Sequence, residues 1–260
     1  MNWRRALAPI LAVIATNCWG TTFGTDNSDL WSNENEQGWG VNIIQQADTL
    51  FATFFVYGPD GKPSWYVASS VAFTGNNAGV VTYSGALYQT SGPWFGGSFN
   101  PSAVGVRSAG TVTFSFDTIR SGTVTYTIDD TTVSKAITRQ TWKLNDLNGT
   151  YLGATIGTYS NCPGASGYME EPAYFSVTHA SNSISIVASY SNATCTYSGT
   201  YFQDGRMGAI NGNVSCSNGL AGTFSAYEIE ANYQALSGRA QMHAGSCQWA
   251  GRIGGLRTGS

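Results

Sequence analysis

The fold is decided by one stretch of the chain, which reads Asp29-Leu-Trp-Ser-Asn-Glu-Asn-Glu-Gln-Gly-Trp-Gly-Val-Asn-Ile-Ile-Gln-Gln-Ala-Asp-Thr-Leu-Phe-Ala-Thr-Phe-Phe-Val-Tyr-Gly-Pro-Asp-Gly-Lys-Pro-Ser-Trp-Tyr-Val-Ala68. Two hairpin turns, at residues 47–48 and 59–61, and a polar connection over residues 34–38 divide it into four segments. In the second turn Asp60 suits an Asx turn and Gly61 accepts a positive φ. The segments between the turns have the strand-like composition and spacing of hairpins. The stretch therefore predicts four consecutive antiparallel strands.

The alternating pattern continues beyond this stretch. Val112, Phe114 and Phe116 share one face of residues 111–117, and residues 123–129 repeat the pattern. No segment after residue 20 shows a helical stripe with caps. Turn signals in the first half predict strands near 30–33, 39–46, 49–57, 64–74, 79–89, 110–117, 122–129 and 132–142. Such regular hairpins favour an antiparallel meander that removes its edges by curling into a barrel.

A polar segment over residues 143–148 separates the two halves of the chain. The second half predicts strands near 149–161, 173–180, 183–191, 194–203, 206–216, 220–231, 235–243 and 247–256. The pair Glu170-Glu171 precedes Pro172, and we expect it in a solvated loop. We therefore predict an all-β protein of two consecutive antiparallel meander β-barrels or strongly curled sheets, about eight strands each, over residues 28–143 and 148–257.

The N-terminus has the features of a secretory signal peptide over residues 1–20. Arg4 and Arg5 precede an apolar stretch over residues 7–15 that is too short to span a bilayer. No later segment predicts a transmembrane helix. We expect a secreted or periplasmic protein. The alternative is a lipid anchor on Cys18, although residues 15–17 are a poor lipoprotein signal.

The four downstream cysteines are an even set, as expected of two disulfides in an exported chain. Successive strands of a meander run in opposite directions, which places all four cysteines at one end of the second barrel. A hairpin would then bring Cys195 opposite Cys216, and closure of the barrel would bring Cys162 to Cys247.

The opening stretch resembles a motif of uncharacterised secreted bacterial proteins, in which it often lies beside a cysteine-containing β-domain. The matching positions are Trp31, Asn33, Glu36, Gly38-Trp39-Gly40, Asn42, Gln46, residues 49–53, Tyr57, residues 60–63 and Trp65. Segments beginning at Gly149, Gly199, Gly205 and Gly222 are similar to the companion domain. The resemblance implies no activity. The predicted calyx is similar to avidins and lipocalins in shape only, and fold does not imply function.

A surplus of aromatic and amide side chains in the opening stretch suggests a ligand site at one mouth of the first barrel. Indole rings can stack on sugars or cover flat apolar ligands, and amides supply directed hydrogen bonds. The alternative is that these residues form barrel core and strand-end hydrogen bonds. The predicted ligand-binding residues are Trp31, Asn33, Trp39, Asn42, Trp65 and Tyr66.

No catalytic signature accompanies this cluster. The chain lacks a Gly-x-Ser-x-Gly elbow and an Asp-x-Asp-x-Asp-Gly loop, and Glu34 and Glu36 are more simply turn carboxylates than a glycosidase pair. The net charge of −3 and the scattered basic residues argue against nucleic acid as a partner. We expect no cofactor and no metal. The leading hypothesis is a non-catalytic secreted protein that binds a glycan or a small apolar ligand. The alternatives are a structural or adhesive surface protein, and a hydrolase with an unrecognised site; the oligomeric state stays open.

Overall fold

The computed structural model describes residues 24–259 of the 260-residue chain. These residues form sixteen strands and one short 3-10 helix, Pro101–Ala103, so the protein is all-β. No helix in this part of the chain has the length and apolarity needed to cross a bilayer. The predicted signal peptide, with Cys18, lies outside the described residues.

The first barrel is built from the first eight strands. These are β1 (Asp29–Ser32), β2 (Gly40–Gln46), β3 (Thr49–Tyr57), β4 (Pro63–Asn77), β5 (Val80–Ser91), β6 (Gly105–Phe116), β7 (Ser121–Ile128) and β8 (Thr131–Arg139). Each strand pairs antiparallel with the next, and β8 pairs back onto β1 to close the barrel. The inward side chains fill its interior, and Trp31, Phe54, Leu87 and Phe114 are all fully buried there.

The second barrel repeats this architecture with eight further strands. These are β9 (Gly149–Cys162), β10 (Ala165–Ala180), β11 (Ser183–Ser189), β12 (Thr194–Asp204), β13 (Met207–Cys216), β14 (Ala221–Ala231), β15 (Ala235–Ala244) and β16 (Cys247–Gly259). Pairing of β16 with β9 closes this barrel. The chain thus forms two consecutive closed eight-stranded antiparallel barrels.

Two strands begin earlier than the turn signals predict. β6 starts at Gly105 rather than near residue 110, and β10 starts at Ala165 rather than near residue 173. The first part of β10 pairs only with β9, because its pairing with β11 begins at Tyr174. Pro172, which has no N–H to donate, therefore lies on an unpaired edge, where proline is tolerated. Glu171 consequently lies on a strand of the barrel wall, and the loop predicted for it is wrong.

Two disulfides lie at one end of the second barrel, and they are the pairs that the strand directions predict. Cys195 and Cys216 are direct partners in the β12–β13 ladder. Cys162, at the end of β9, is bonded to Cys247, at the start of β16, across the seam that closes the barrel. Disulfides form and persist in oxidising compartments, so this pair of bonds is consistent with an extracellular or periplasmic protein.

The two barrels contact each other through the β12–β13 hairpin. The Arg206 backbone N–H donates to Asp29 at 3.1 Å and its Nε donates to the Ser28 carbonyl at 3.0 Å. The Gly205 N–H donates to Thr141 at 2.9 Å. We call the end of each barrel that makes these contacts its near end and the opposite end its far end. Because successive strands alternate in direction, the disulfides of the second barrel lie at its far end.

Candidate functional site

Four of the six residues predicted as a ligand site lie on strands of the first barrel, and two of them point into the barrel while two point out into solvent. Trp31 is fully buried inside, and its Nε1 donates to the Asn27 carbonyl at 3.0 Å. Tyr66 also points inward and is buried. Asn42 and Trp65 point outward and are exposed. The strand parity that separates Trp65 from Tyr66 keeps these four side chains from lining one surface.

The other two residues, Asn33 and Trp39, lie in the turn between β1 and β2. The Asn33 amide donates to the Ala136 carbonyl at 3.2 Å. Trp39 is partly buried against the core, and its Nε1 donates to Glu36 Oε2 at 3.0 Å while Lys135 lies over its ring. These contacts fit the alternative of core packing and strand-end hydrogen bonds. A ligand site in the first barrel stays a prediction.

A cavity of about 70 Å³ lies inside the second barrel. Its walls are mainly aromatic and aliphatic side chains that face inward from the strands. They include Tyr159, Tyr197, Phe224, Ala240, Met242 and Trp249. At the near end the interior is filled, because Tyr151 and Ile210 are fully buried and Tyr201 is almost so. The open part of the barrel therefore lies toward its far end.

A larger cleft adjoins the cavity at the far end of the second barrel. This mouth has a volume of about 710 Å³, within the range of roughly 300–1,000 Å³ that is usual for ligand pockets. Tyr159, Tyr190, Tyr197 and Met242 line both spaces, so the cavity and the mouth meet at these residues. All four disulfide-bonded cysteines line the mouth, and the two bonds thus hold its rim.

Polar groups gather where the cavity meets the mouth, and we call them the tyrosine cluster: Tyr159, Tyr190, Tyr197, Thr155 and Glu171. The Tyr159 hydroxyl donates to Glu171 Oε2 at 2.8 Å. The hydroxyls of Tyr190 and Tyr197 share a hydrogen bond of 3.3 Å, and Thr155 lies beside Tyr190. Glu171 lines the mouth, and an ionised carboxylate accepts several hydrogen bonds. The cluster can therefore offer both an acceptor and donors to a ligand.

Burial raises the pKa of all three hydroxyls of the tyrosine cluster. It raises the pKa of Tyr197, with the neighbouring Tyr190 as a further cause. It also raises the pKa of Tyr159, and the hydrogen bond with Glu171 acts in the same direction. The pKa of Tyr190 is raised by burial as well. The three hydroxyls therefore stay protonated well above neutral pH and can donate hydrogen bonds.

The position of Trp249 depends on two glycines of the barrel wall. Trp249 on β16 is buried against the cavity, and its ring lies 6.4 Å from that of Tyr159, between ring centres. A Cβ at Gly157 or Gly251 would lie 2.7 Å from the indole. The bare backbone at these two positions lets the indole lie flat on the wall, which leaves the centre of the barrel open.

The sequence pattern predicts no site in the second barrel. The strand pattern predicts the inward direction of Tyr197 but not its distance from Tyr159, because the two lie on β12 and β9 and meet only through closure of the barrel. Glu171 was missed because Pro172 favoured a loop. Among residues 24–259, no three His, Cys, Asp or Glu side chains gather as metal ligands. The arrangement is suited to binding an apolar molecule through a few polar contacts.

A comparison of the chain with protein-family models and with curated proteins finds no match. The site must therefore be interpreted from its own geometry.

The raised pKa values predict that the second barrel loses stability in alkaline solution. Above about pH 10 the unfolded chain releases tyrosine protons that the folded protein retains. The free energy of unfolding therefore falls as the pH rises, by about 1.4 kcal/mol per pH unit for each such tyrosine. Urea denaturation on both sides of this pH measures the effect. Tyr197→Phe should reduce the slope, whereas Tyr174→Phe, at an exposed position, should not. An unchanged slope in Tyr197→Phe would contradict the raised pKa of Tyr197 as a cause of the alkaline loss of stability.

Proposed function

We propose that this is an exported, non-catalytic binding protein whose second barrel holds a small apolar molecule that carries one hydrogen-bond donor. The apolar part of the ligand lies in the mouth and reaches into the cavity beside Trp249 and Met242, and the donor faces Glu171. A hydroxyl or an amine N–H would fill this role. The ligand enters through the mouth at the far end, which faces away from the first barrel.

The observation that carries this proposal is that the cavity and the mouth adjoin each other and share three tyrosines of the tyrosine cluster as lining. The first barrel is filled by side chains such as Trp31 and Phe114, whereas the second is filled only at its near end. An apolar cavity with a few convergent polar groups is the usual form of a small-molecule site. Glu171 accepts one hydrogen bond from Tyr159 and has acceptor capacity left, so a ligand donor is best accepted by its carboxylate.

The lining favours an apolar ligand over a glycan. A sugar carries hydroxyls on all sides, and each buried hydroxyl needs a hydrogen-bond partner. Around the cavity, Phe224, Ala240 and Met242 supply none. A molecule with one polar end fits the arrangement better.

Export is part of the proposal and has two supports. Residues 1–20 have the pattern of a signal peptide, and the two disulfides require an oxidising compartment to form and persist. The protein would act where it meets small molecules outside the cytoplasm.

The proposal is tested with the fluorescent probe N-phenylnaphthylamine, an apolar molecule with a single N–H donor. We expect saturable binding with enhanced fluorescence. Ala240→Leu fills the cavity and should weaken binding at least about tenfold, which corresponds to about 1.4 kcal/mol. Far-ultraviolet circular dichroism and the unfolding midpoint would show that the variant is folded. Unchanged binding by a folded Ala240→Leu protein would contradict the proposed site.

The role of Glu171 is tested separately with the N-methylated probe, which has no donor. Glu171→Gln should weaken binding of the N–H probe about three- to tenfold, and should leave binding of the N-methyl probe unchanged. Glu170→Gln is the matched control on the same strand, since Glu170 is exposed and accepts from Tyr168. Equal effects of Glu171→Gln on both probes would remove Glu171 from ligand recognition without disproving the cavity.

A further inference from the structure

An aromatic loop projects from the far end of the first barrel. It runs over residues 92–104 between β5 and β6, and it carries Trp94, Phe95 and Phe99. These side chains are 72%, 96% and 72% exposed, respectively. Val106, just after the loop, is exposed as well. Exposed aromatic side chains clustered in this way mark an interaction site more often than single exposed apolar residues do.

Local contacts hold the loop in this shape. The Gly97 N–H donates to the Trp94 carbonyl at 3.2 Å. The Trp94 indole lies over Gly96, where a Cβ would collide with the ring. Asn100 caps the 3-10 helix by accepting from the Ser102 N–H at 3.0 Å. The loop therefore has a defined backbone conformation, and this conformation exposes the rings to solvent.

The loop carries no charge. Residues 92–104 contain no Asp, Glu, Lys or Arg. The nearest basic group in sequence, Arg107, pairs with Asp129 of the β7–β8 hairpin. By strand direction the loop lies at the end of the first barrel opposite to the contact with the second barrel. The second barrel therefore does not cover these rings, and no cluster of like charges on the loop would repel a charged partner.

We propose that the aromatic loop docks the protein onto a lipid bilayer, with Trp94, Phe95 and Phe99 inserted at the level of the headgroups. Tryptophan and phenylalanine are favoured at this depth, where a ring meets both apolar chains and polar groups. Phe95 is almost completely exposed, with only the Trp94 ring beside it at 6.0 Å between ring centres, so the two rings can enter a bilayer, which closes around a protruding group. Because the loop is neutral, the surface it fits is zwitterionic as readily as anionic.

Flotation with vesicles of phosphatidylcholine tests this docking on the full mature chain. We expect the protein to float with the vesicles. The variant Trp94→Ser/Phe95→Ser/Phe99→Ser should partition at least about tenfold more weakly. A control variant, Trp142→Ser/Leu144→Ser, removes two exposed apolar side chains between the barrels and should float like the wild type. Added phosphatidylglycerol or salt should change neither result.

A second readout reports insertion itself. Lipids brominated in the acyl chain should quench part of the tryptophan fluorescence, and Trp94→Phe should float normally while losing that quenched part. The proposal is overturned if the wild type does not float, if both multiple variants lose flotation equally, or if only anionic vesicles bind. Binding of the loop to a soluble glycan or protein without flotation would overturn it too. Probe binding in the second barrel should be unaffected by these variants, so the two proposals fail or succeed independently.

Discussion

Replacement of Cys162 and Cys247 by alanine is expected to lower the free energy of unfolding of the second barrel by about 4–5 kcal/mol. The bond joins residues 85 positions apart and ties the first strand of the barrel to the last. A crosslink of this span removes much of the conformational entropy of the unfolded chain. The Cys195–Cys216 bond spans only 21 positions, so its removal should cost about 3 kcal/mol.

Urea denaturation followed by amide hydrogen exchange of second-barrel residues measures the two losses under oxidising conditions. The first barrel is the internal control, because no disulfide lies within its described strands. Equal losses from the two double variants, or a larger loss from Cys195–Cys216, would contradict the entropic explanation. Loss of probe binding alongside the loss of stability is expected, since both bonds hold the rim of the mouth.

Arg139→Met is expected to destabilise the first barrel by about 3–5 kcal/mol, the usual cost of breaking a buried ion pair. The Arg139 side chain has no exposed surface. It pairs with Asp29 at 3.0 Å, donates to the Asp26 carbonyl at 2.6 Å and also donates to the Ile119 carbonyl. Its guanidinium lies over the ring of Trp31 at 4.8 Å. Burial lowers the pKa of Arg139, and the hydrogen bond with Asp29 opposes that shift.

The matched control for this change is Arg107→Met at the far end of the same barrel. Arg107 pairs with Asp129, but both side chains are exposed, and solvent-exposed ion pairs contribute little to stability. Chemical denaturation of both variants gives the comparison. A loss in Arg139→Met no larger than in Arg107→Met would show that the buried charge network does not stabilise the barrel. Because Asp29 also accepts from Arg206, we expect Arg139→Met to loosen the contact between the barrels as well.

The alternation of apolar and polar residues predicts the architecture because each barrel strand has one face in the interior and one face exposed to solvent. Val112 and Phe114 are buried where the pattern places them. The four cysteines were paired from strand direction alone, since direction decides which strand ends can meet. The alternation predicts strand ends less reliably. The strand β10 begins before Pro172, because the edge position that this proline occupies does not require a backbone N–H to donate.

The candidate site could not be predicted in the same way. Its cavity depends on how far inward side chains from different strands reach, and alternation says nothing about that distance. Trp31 illustrates the difference: its spacing is compatible with a ligand site, but its indole fills the first barrel and donates to the Asn27 carbonyl. Trp249 is equally inward-facing, yet two glycines let it lie against the wall. Whether a tryptophan fills a barrel or lines a cavity is thus decided by its neighbours.

The most direct test of the proposed function is to follow the indole N–H resonances by nuclear magnetic resonance while N-phenylnaphthylamine is added. Trp249 reports on the cavity of the second barrel, whereas Trp31, Trp39 and Trp65 report on the first. The proposed site predicts a saturable shift of the Trp249 resonance, with the affinity seen by fluorescence and no change in the other three. Shifts confined to Trp31, Trp39 or Trp65, with Trp249 unmoved, would contradict it.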